Sequence, residues 1–191
     1  MSRLDLVVGP NGAGKTTFVH RVIEPNWPGV AFVNADVIAA QRWPDDPAPH
    51  AYEAGEVAAA TRDRLIDAGV PLIAETVFSH PSKLDLVAKA LGRGYFVALH
   101  AVMIPEDLAV ARVAARVVAG GHDVPEDKIR ARYQRLWDLV AQAAAVAHTA
   151  TFWDNSSRDG PGQVALLAAG YATGVTAWPD WSPPVLTARW P

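Results

Sequence analysis

The 191-residue chain has no cysteine, two methionines, and no run approaching about 18 consecutive apolar residues. The first absence excludes disulfides, thiolate zinc sites and cysteine nucleophiles. The last leaves nothing long enough to span a membrane as a helix. Charge is sparse as well: charged residues make up 19% of the chain and the formal net charge is −3. That balance lacks both the self-repulsion of a disordered chain and the basic footprint of a nucleic-acid binder. The first residues already read as a core strand rather than a charged leader before an apolar run, which predicts no signal peptide and a cytoplasmic location. Half of the residues are apolar, and the length suits a single α/β domain over residues 1–191.

Glycine is present where it matters. Residues 9–17 read Gly9-Pro10-Asn11-Gly12-Ala13-Gly14-Lys15-Thr16-Thr17, and Gly9, Gly14, Lys15 and Thr16 fit the pattern G-x-x-x-x-G-K-[ST]. Glycines let consecutive N–H groups turn into one phosphate-sized hollow. Lys15 can reach the β- and γ-phosphates, the Thr16 hydroxyl can ligate Mg²⁺, and the helix opening at Lys15 adds its positive end. The apolar run at residues 3–8 and the helical pattern after Thr17 supply the strand–loop–helix context the motif requires. Gly9, Asn11, Gly12, Ala13, Gly14, Lys15, Thr16 and Thr17 are therefore expected to hold ATP.

The chain continues as a P-loop NTPase of three-layer α/β/α type, with a mainly parallel sheet of five to six strands and a helical lid. The core is expected over residues 3–157, the lid over about 105–135 and an irregular tail over about 176–191. Strand two, residues 30–34, runs into Asn34-Ala35-Asp36, and ligands in such sheets gather at the carboxyl ends of strands. Asp36 is read as the base that takes the acceptor hydroxyl's proton, with a helix cap as its structural alternative. Residues 41–50 hold three prolines, with Arg42 and Trp43 as candidates for substrate contact in a surface loop. The helix at 50–68 is read with Tyr52, Val57, Thr61, Leu65 and Ile66 on one side and its charges on a solvated face. Strand three, residues 71–76, ends in Glu75 and Thr76. Glu75 is expected to reach the Mg²⁺ shell or the acceptor, with Thr76 and Ser79 beside it and His80 capping the next helix. His100, inside the long fourth strand, is read as a satisfied core histidine.

Two arginine-bearing helices follow. Pro105-Glu106-Asp107 opens one that carries Arg112 and Arg116, and Gly120-Gly121-His122 breaks it. Asp123 and Glu126 suggest a capping box for a second, with Ile129, Tyr133, Leu136, Trp137 and Val140 inward. A lid of this kind brings arginine to the phosphate edge, where it offsets charge spreading over the γ-phosphoryl group. Arg116, with Arg130 or Arg132, is the expected set. The fifth strand ends in Asp154 and Asn155, where the following loop can approach the adenine, and residues 163–177 suggest a short strand or hairpin.

The P-loop, Asn34-Ala35-Asp36, Glu75-Thr76, Arg116, Gly120–Pro125, Arg130-Ala131-Arg132-Tyr133 and Asp154-Asn155-Ser156 together resemble the zeta toxin family of P-loop kinases. More narrowly they are similar to its compact branch of predicted ABC-type ATPases. The resemblance covers roughly residues 3–157. It implies transfer of the ATP γ-phosphate to the 3′-hydroxyl of the sugar in UDP-N-acetylglucosamine, with an epsilon-type antitoxin as partner. It also implies that Lys15 and Thr16 hold ATP-Mg²⁺, that Asp36 is the base, that Glu75 supports the acceptor, and that the lid arginines clamp the transferred phosphate. Where zeta toxins carry a substrate-holding arginine beyond the third-strand acid, this chain has Val77-Phe78-Ser79-His80. That departure leaves other acceptors open: a nucleoside, a dinucleotide or an antibiotic. A nucleotide-dependent regulatory module is the reading from another class.

Overall fold

Strand β1 (Arg3–Val8) is buried along nearly its whole length, and its alternation divides the interior. Leu4, Leu6 and Val8 point into one apolar layer and Val7 into the other, as a period of two requires. The computed structural model describes residues 2–119, 121 and 123–191. Around β1 lie β2 (Ala31–Val33), β3 (Leu72–Thr76), β4 (Phe96–Met103), β5 (Thr149–Asp154), β6 (Gly162–Ala168) and β7 (Tyr171–Ala172). The spatial order is β2-β3-β1-β4-β5-β6-β7. The first five in chain order pair in parallel, and β6 and β7 add an antiparallel edge. The fold is P-loop NTPase-like, with helices on both faces of the sheet. The sheet has seven strands among the described residues rather than five to six, because the hairpin expected at 163–177 pairs onto β5.

Helices α3 (Ala51–Asp67), α4 (Ser82–Gly92) and most of α6 (Glu126–Val146) pack on the Leu4 face. Helices α1 (Lys15–Phe18) and α5 (Glu106–Val118) pack on the Val7 face. Ile129, near the start of α6, belongs to the second layer, whereas Tyr133 and Trp137 belong to the first. Thus α6 contributes to both apolar layers, its first turn to one and the rest to the other. The apolar stripe expected on it is buried as expected. Helix α2 (Ala35–Arg42) follows β2, and α1 widens into a π turn over Val19–Ile23 and a 3₁₀ turn at Glu24–Asn26. Pro25 offers no N–H to continue a regular helix there. No helix among the described residues is long and apolar enough to cross a membrane.

Three local expectations need correction. Tyr52 is exposed, and the buried side of α3 is Ala54, Ala58, Arg62 and Ile66. No capping box forms, since α6 starts after Pro125 without a side-chain cap. The tail is also more than irregular surface chain. It contains α7 (Pro184–Thr187), buries Leu186 and Trp190, and packs Trp178 on Phe152 at 5.1 Å. Trp178 Nε1 donates to Trp190 O at 2.7 Å and Trp190 Nε1 to Gly170 O at 2.9 Å. These two bonds satisfy the indoles once they enter the core.

His100 has a partner, though only at one nitrogen. Its Nε2 lies 3.0 Å from Asp5 Oδ1, and Arg3 donates to Asp5 at 2.7 and 2.8 Å. Burial pushes the Asp5 pKa up, but the hydrogen bonds to His100 and Arg3 outweigh it, so the carboxyl titrates below its ordinary value. Asp5→Ala should therefore cost about 2–3 kcal/mol at neutral pH, since it leaves a half-buried cation unpaired. A depressed pKa contributes stability that is fully present above the unfolded value of 3.8 and lost as pH falls through the folded one. Urea unfolding should separate parent and variant at neutral pH, and the difference should shrink as pH falls below 3.8.

Candidate active site

The register of the central strands sets the site. Val33 is level with Ala74, so Asn34 comes level with Glu75; Val8 is level with Thr76, so Gly9 leaves the sheet at the same edge. From there the chain needs glycine. Gly9 has φ 149°, and a Cβ on it would lie 2.2 Å from Val102 O; Gly14 has φ 81°, and its Cβ would lie 2.8 Å from Asn155 Nδ2. Both positions combine the left-handed region with a close neighbour, so a side chain is excluded twice over.

Lys15 is buried and folds back, its Nζ donating to Pro10 O at 2.9 Å. Burial pushes its pKa below lysine's ordinary value. Glu75 and Asp36 push it back up, and Arg116 and Arg132 push it further down. A cation already disfavoured by its surroundings gains when an anion arrives. Thr16 Oγ1 donates to Glu75 Oε2 at 2.9 Å, and Asn34 Nδ2 donates to the same oxygen at 2.6 Å. Among the described residues no group of three or more His, Asp or Glu could cage a metal. The Thr16–Glu75 pair does place a hydroxyl and a carboxylate oxygen side by side, the kind of hard oxygen donor that Mg²⁺ favours.

Asp36 is exposed, lines the cleft, and makes no side-chain hydrogen bond or ion pair among the described residues. The helix cap is Asn34, whose Oδ1 accepts from the N–H groups of Asp36 and Val37 at 2.6 and 3.3 Å. The structural alternative for Asp36 is thereby removed, because its neighbour does that work. The cleft, about 780 Å³, runs from the P-loop past Asp36, Glu75, Thr76 and Ser79 to the α3–α4 wall. The loop after β3 turns sharply at Phe78, whose φ of 65° is in a region bulky side chains seldom adopt. The turn buries the Phe78 ring and leaves Ser79 and His80 on the cleft. His80 Nδ1 accepts from Ser82 N at 3.2 Å, the cap expected of it.

The lid arginines separate. Arg116 and Arg132 line the cleft, together with Arg112 and Lys128. Arg130 does not: it bonds Glu126 at 2.9 Å and Asp107 at 2.9 Å, and those carboxylates raise its pKa. It ties α6 to α5. Arg112 donates to Asn155 O at 3.0 Å and Ser156 O at 3.3 Å. Gly121 packs beneath the Arg116 stem, where a Cβ would lie 2.5 Å from Cγ. The rest of the expected hinge, Gly120 and His122, lies outside the described residues.

Asn155 stands behind the P-loop rather than in the cleft, with Nδ2 donating to Ala13 O at 2.7 Å. Asp154 Oδ1 accepts from Ser156 N at 2.8 Å. Neither lines the cleft, and nor do Arg42 and Trp43; the Trp43 ring stacks on His50 at 4.4 Å. Sequence reasoning missed Asn34 as the link between cap and carboxylate, and it missed Arg62, Lys83 and Lys128 on the cleft wall. The signal for Arg62 was its place in the four-residue spacing of Ala54, Ala58 and Ile66.

Comparison with known proteins agrees with this fold. The AAA domain family model matches residues 4–139. An uncharacterized protein of Haemophilus influenzae is 31% identical over 129 residues, which is 65% of this chain and 88% of that protein. Among solved structures, the AvrRxo1-ORF1:AvrRxo1-ORF2 complex with sulphate ions superposes with a TM-score of 0.70 at 17% identity. That match covers 91% of this chain and 60% of the other, so this chain spans less than two thirds of it. The PezAT toxin–antitoxin system of Streptococcus pneumoniae gives a TM-score of 0.62 at 16% identity, covering 99% of this chain and 84% of that one. Shikimate kinase from Acinetobacter baumannii, in complex with shikimate, gives 0.53 at 20% identity, covering 84% and 86%. The fold is thus shared with shikimate kinase, and the sequence match extends through the P-loop, the ends of β1 to β4 and the first two thirds of α6: the chain belongs to the AAA domain family.

Proposed function

We propose that this protein is an ATP-dependent small-molecule kinase of zeta toxin type. It transfers the γ-phosphoryl group to a hydroxyl of UDP-N-acetylglucosamine or a related sugar nucleotide. The observation that carries this reading is the Asp36 carboxylate, uncommitted among the described residues to any cap or ion pair, on the cleft wall that it shares with Lys15. The superposition with shikimate kinase supports the kinase class. The superposition with the AvrRxo1-ORF1:-ORF2 complex with ATP supports the nucleotide. The PezAT superposition supports an antitoxin-like protein partner.

Each group has a place in the step. The acceptor oxygen forms a bond to the γ-phosphorus as the bond from that phosphorus to the β-bridging oxygen breaks, and ADP leaves. Asp36 takes the hydroxyl proton. Lys15 swings from Pro10 O onto the phosphates, exchanging a neutral acceptor for an anionic one. Thr16 and Glu75 would hold Mg²⁺, which when bound supplies charge neutralisation on the phosphate oxygens. Arg116 and Arg132 face the charge that spreads over the transferred group.

Incubation with ATP-Mg²⁺ and UDP-N-acetylglucosamine should give a product heavier by one phosphate in the mass spectrum. Asp36→Asn should slow it by about 10²–10⁴-fold with ATP affinity nearly unaltered. A regulator that merely binds nucleotide predicts no product from either protein. If ATP binds and the sugar nucleotide stays unmodified, the acceptor is another molecule.

The lid gives a second test. Arg116→Ala and Arg132→Ala should each lower kcat by about 10²–10³-fold. Arg130→Ala, whose side chain pairs with acids of α5 and α6 at the surface, should leave kcat and the melting temperature nearly unchanged. Equal kinetic losses at 130 and 132 would overturn this division.

A further inference from the structure

The far end of the cleft has cations of its own. Arg62 occupies the third position of the buried α3 stripe, between Ala58 and Ile66, where the helix pattern calls for an apolar side chain. It is 5% exposed and makes no hydrogen bond or ion pair among the described residues, yet it lines the cleft. Lys83, in the first turn of α4, lines the same wall half-buried and is equally without a hydrogen bond or ion pair among the described residues. Burial pushes both pKa values down, and the Arg62 charge pushes Lys83 down further. Asp63, whose charge partly offsets the burial of Arg62, is itself paired with Lys89 at 3.4 Å. Two neighbouring like charges, partly dehydrated and without a counter-ion, destabilise a fold. An aliphatic residue at position 62 would complete the stripe and remove that cost. Such a pair inside a cleft is the arrangement that an incoming anion relieves.

We propose that Arg62 and Lys83 form an anion subsite separate from the P-loop, one that takes a phosphate or carboxylate group of the acceptor, so that the molecule phosphorylated here is itself acidic. The assignment of this end to the acceptor rests on the kinase reading above; the anion binding does not. The acidic group docks between α3 and α4 and the hydroxyl reaches Asp36. Arg62 supplies a planar fork suited to two oxygens and Lys83 a mobile point charge. The pair stands on the cleft wall next to Val77–His80, the stretch where zeta toxins would carry their substrate arginine.

The test uses the intact protein with the P-loop filled by a non-hydrolysable ATP analogue and Mg²⁺, titrated with inorganic phosphate in a calorimeter. The parent should bind one further phosphate. Arg62→Met and Lys83→Met should each weaken that binding at least tenfold while leaving the affinity for the nucleotide analogue unchanged. Arg62→Met should also raise the ligand-free melting temperature by about 2–4 °C, because the unpaired buried charge is gone. Lys83→Met, at a half-buried site, keeps the test open should the Arg62 variant fold poorly. A filled parent that takes no further phosphate, or variants that bind it as tightly as the parent, would overturn the subsite. A second arm compares UDP-N-acetylglucosamine with free N-acetylglucosamine as acceptor. Equal transfer to the uncharged sugar would also defeat the proposal. Phosphate binding with no transfer to any acceptor would defeat the kinase reading alone.

Discussion

One oxygen atom organises the site. Glu75 Oε2 accepts from Thr16 Oγ1 and from Asn34 Nδ2, so a single buried carboxylate joins the P-loop helix, the end of β3 and the start of α2. A carboxylate this far from water is expensive unless donors surround it, and here two donors and the Lys15 charge do so. Asn34 works in both directions. Its amide nitrogen holds Glu75, while its oxygen holds the N–H groups of Asp36 and Val37. The position of Asp36 is therefore set at one remove by Glu75. Loss of the carboxylate would disturb the P-loop hydroxyl and the candidate base together.

A second set of polar groups braces the loop from behind. Asn155 N donates to Met103 O at 2.9 Å, its side chain donates to Ala13 O, and Arg112 holds its carbonyl. The polar groups thus divide by job. Asn34, Asn155, Arg112 and Arg130 are spent on neighbouring carboxylates and on backbone, and they fix geometry. Asp36, Arg62 and Lys83 make no such bonds among the described residues and face the cleft. A folded chain satisfies its buried polar groups almost everywhere, so the places where it does not are the informative ones.

This division explains what the sequence could and could not reveal. The P-loop, Asp36 and Glu75 were legible because local pattern alone places them: a glycine signature, and acids at the ends of apolar runs. The two arginine-bearing helices were legible as helices, but which arginine faces the cleft was not. Arg130 and Arg132 are separated by about 200° around α6, so only one can face the cleft, and no local rule says which. The choice follows from Glu106 and Asp107 on α5, which draw Arg130 away. Asp154 and Asn155 were placed at the right sheet edge, but their depth behind the loop depends on Ala13 accepting a bond across 142 residues of sequence. In the tail, Trp178 and Trp190 have no periodicity to betray burial; they enter the core through contacts with Phe152. Arg62 was hidden for the opposite reason. Its spacing was visible, but a charge on a helix is ordinarily solvated, and that expectation overrode the stripe.

The distribution of charge along the cleft then acquires a meaning that the net charge of −3 conceals. Cations crowd the phosphate end, where Lys15, Arg116, Lys128 and Arg132 line the wall, and cations recur at the α3–α4 end, where Arg62 and Lys83 lie. Between them stand the carboxylates of Asp36 and Glu75. A ligand that complements this order is anionic at both ends and carries a hydroxyl in the middle. A triphosphate beside an acidic, hydroxyl-bearing acceptor meets that description, whereas a triphosphate with water alone leaves the far cations unpaired. Desolvation sharpens the difference, because charges in a closed, low-dielectric cleft are felt far more strongly than on a wet surface. The cations at the far end would thus favour acidic acceptors over neutral ones and over bulk water, and Asp36, left free by the cap at Asn34, would meet the hydroxyl they deliver.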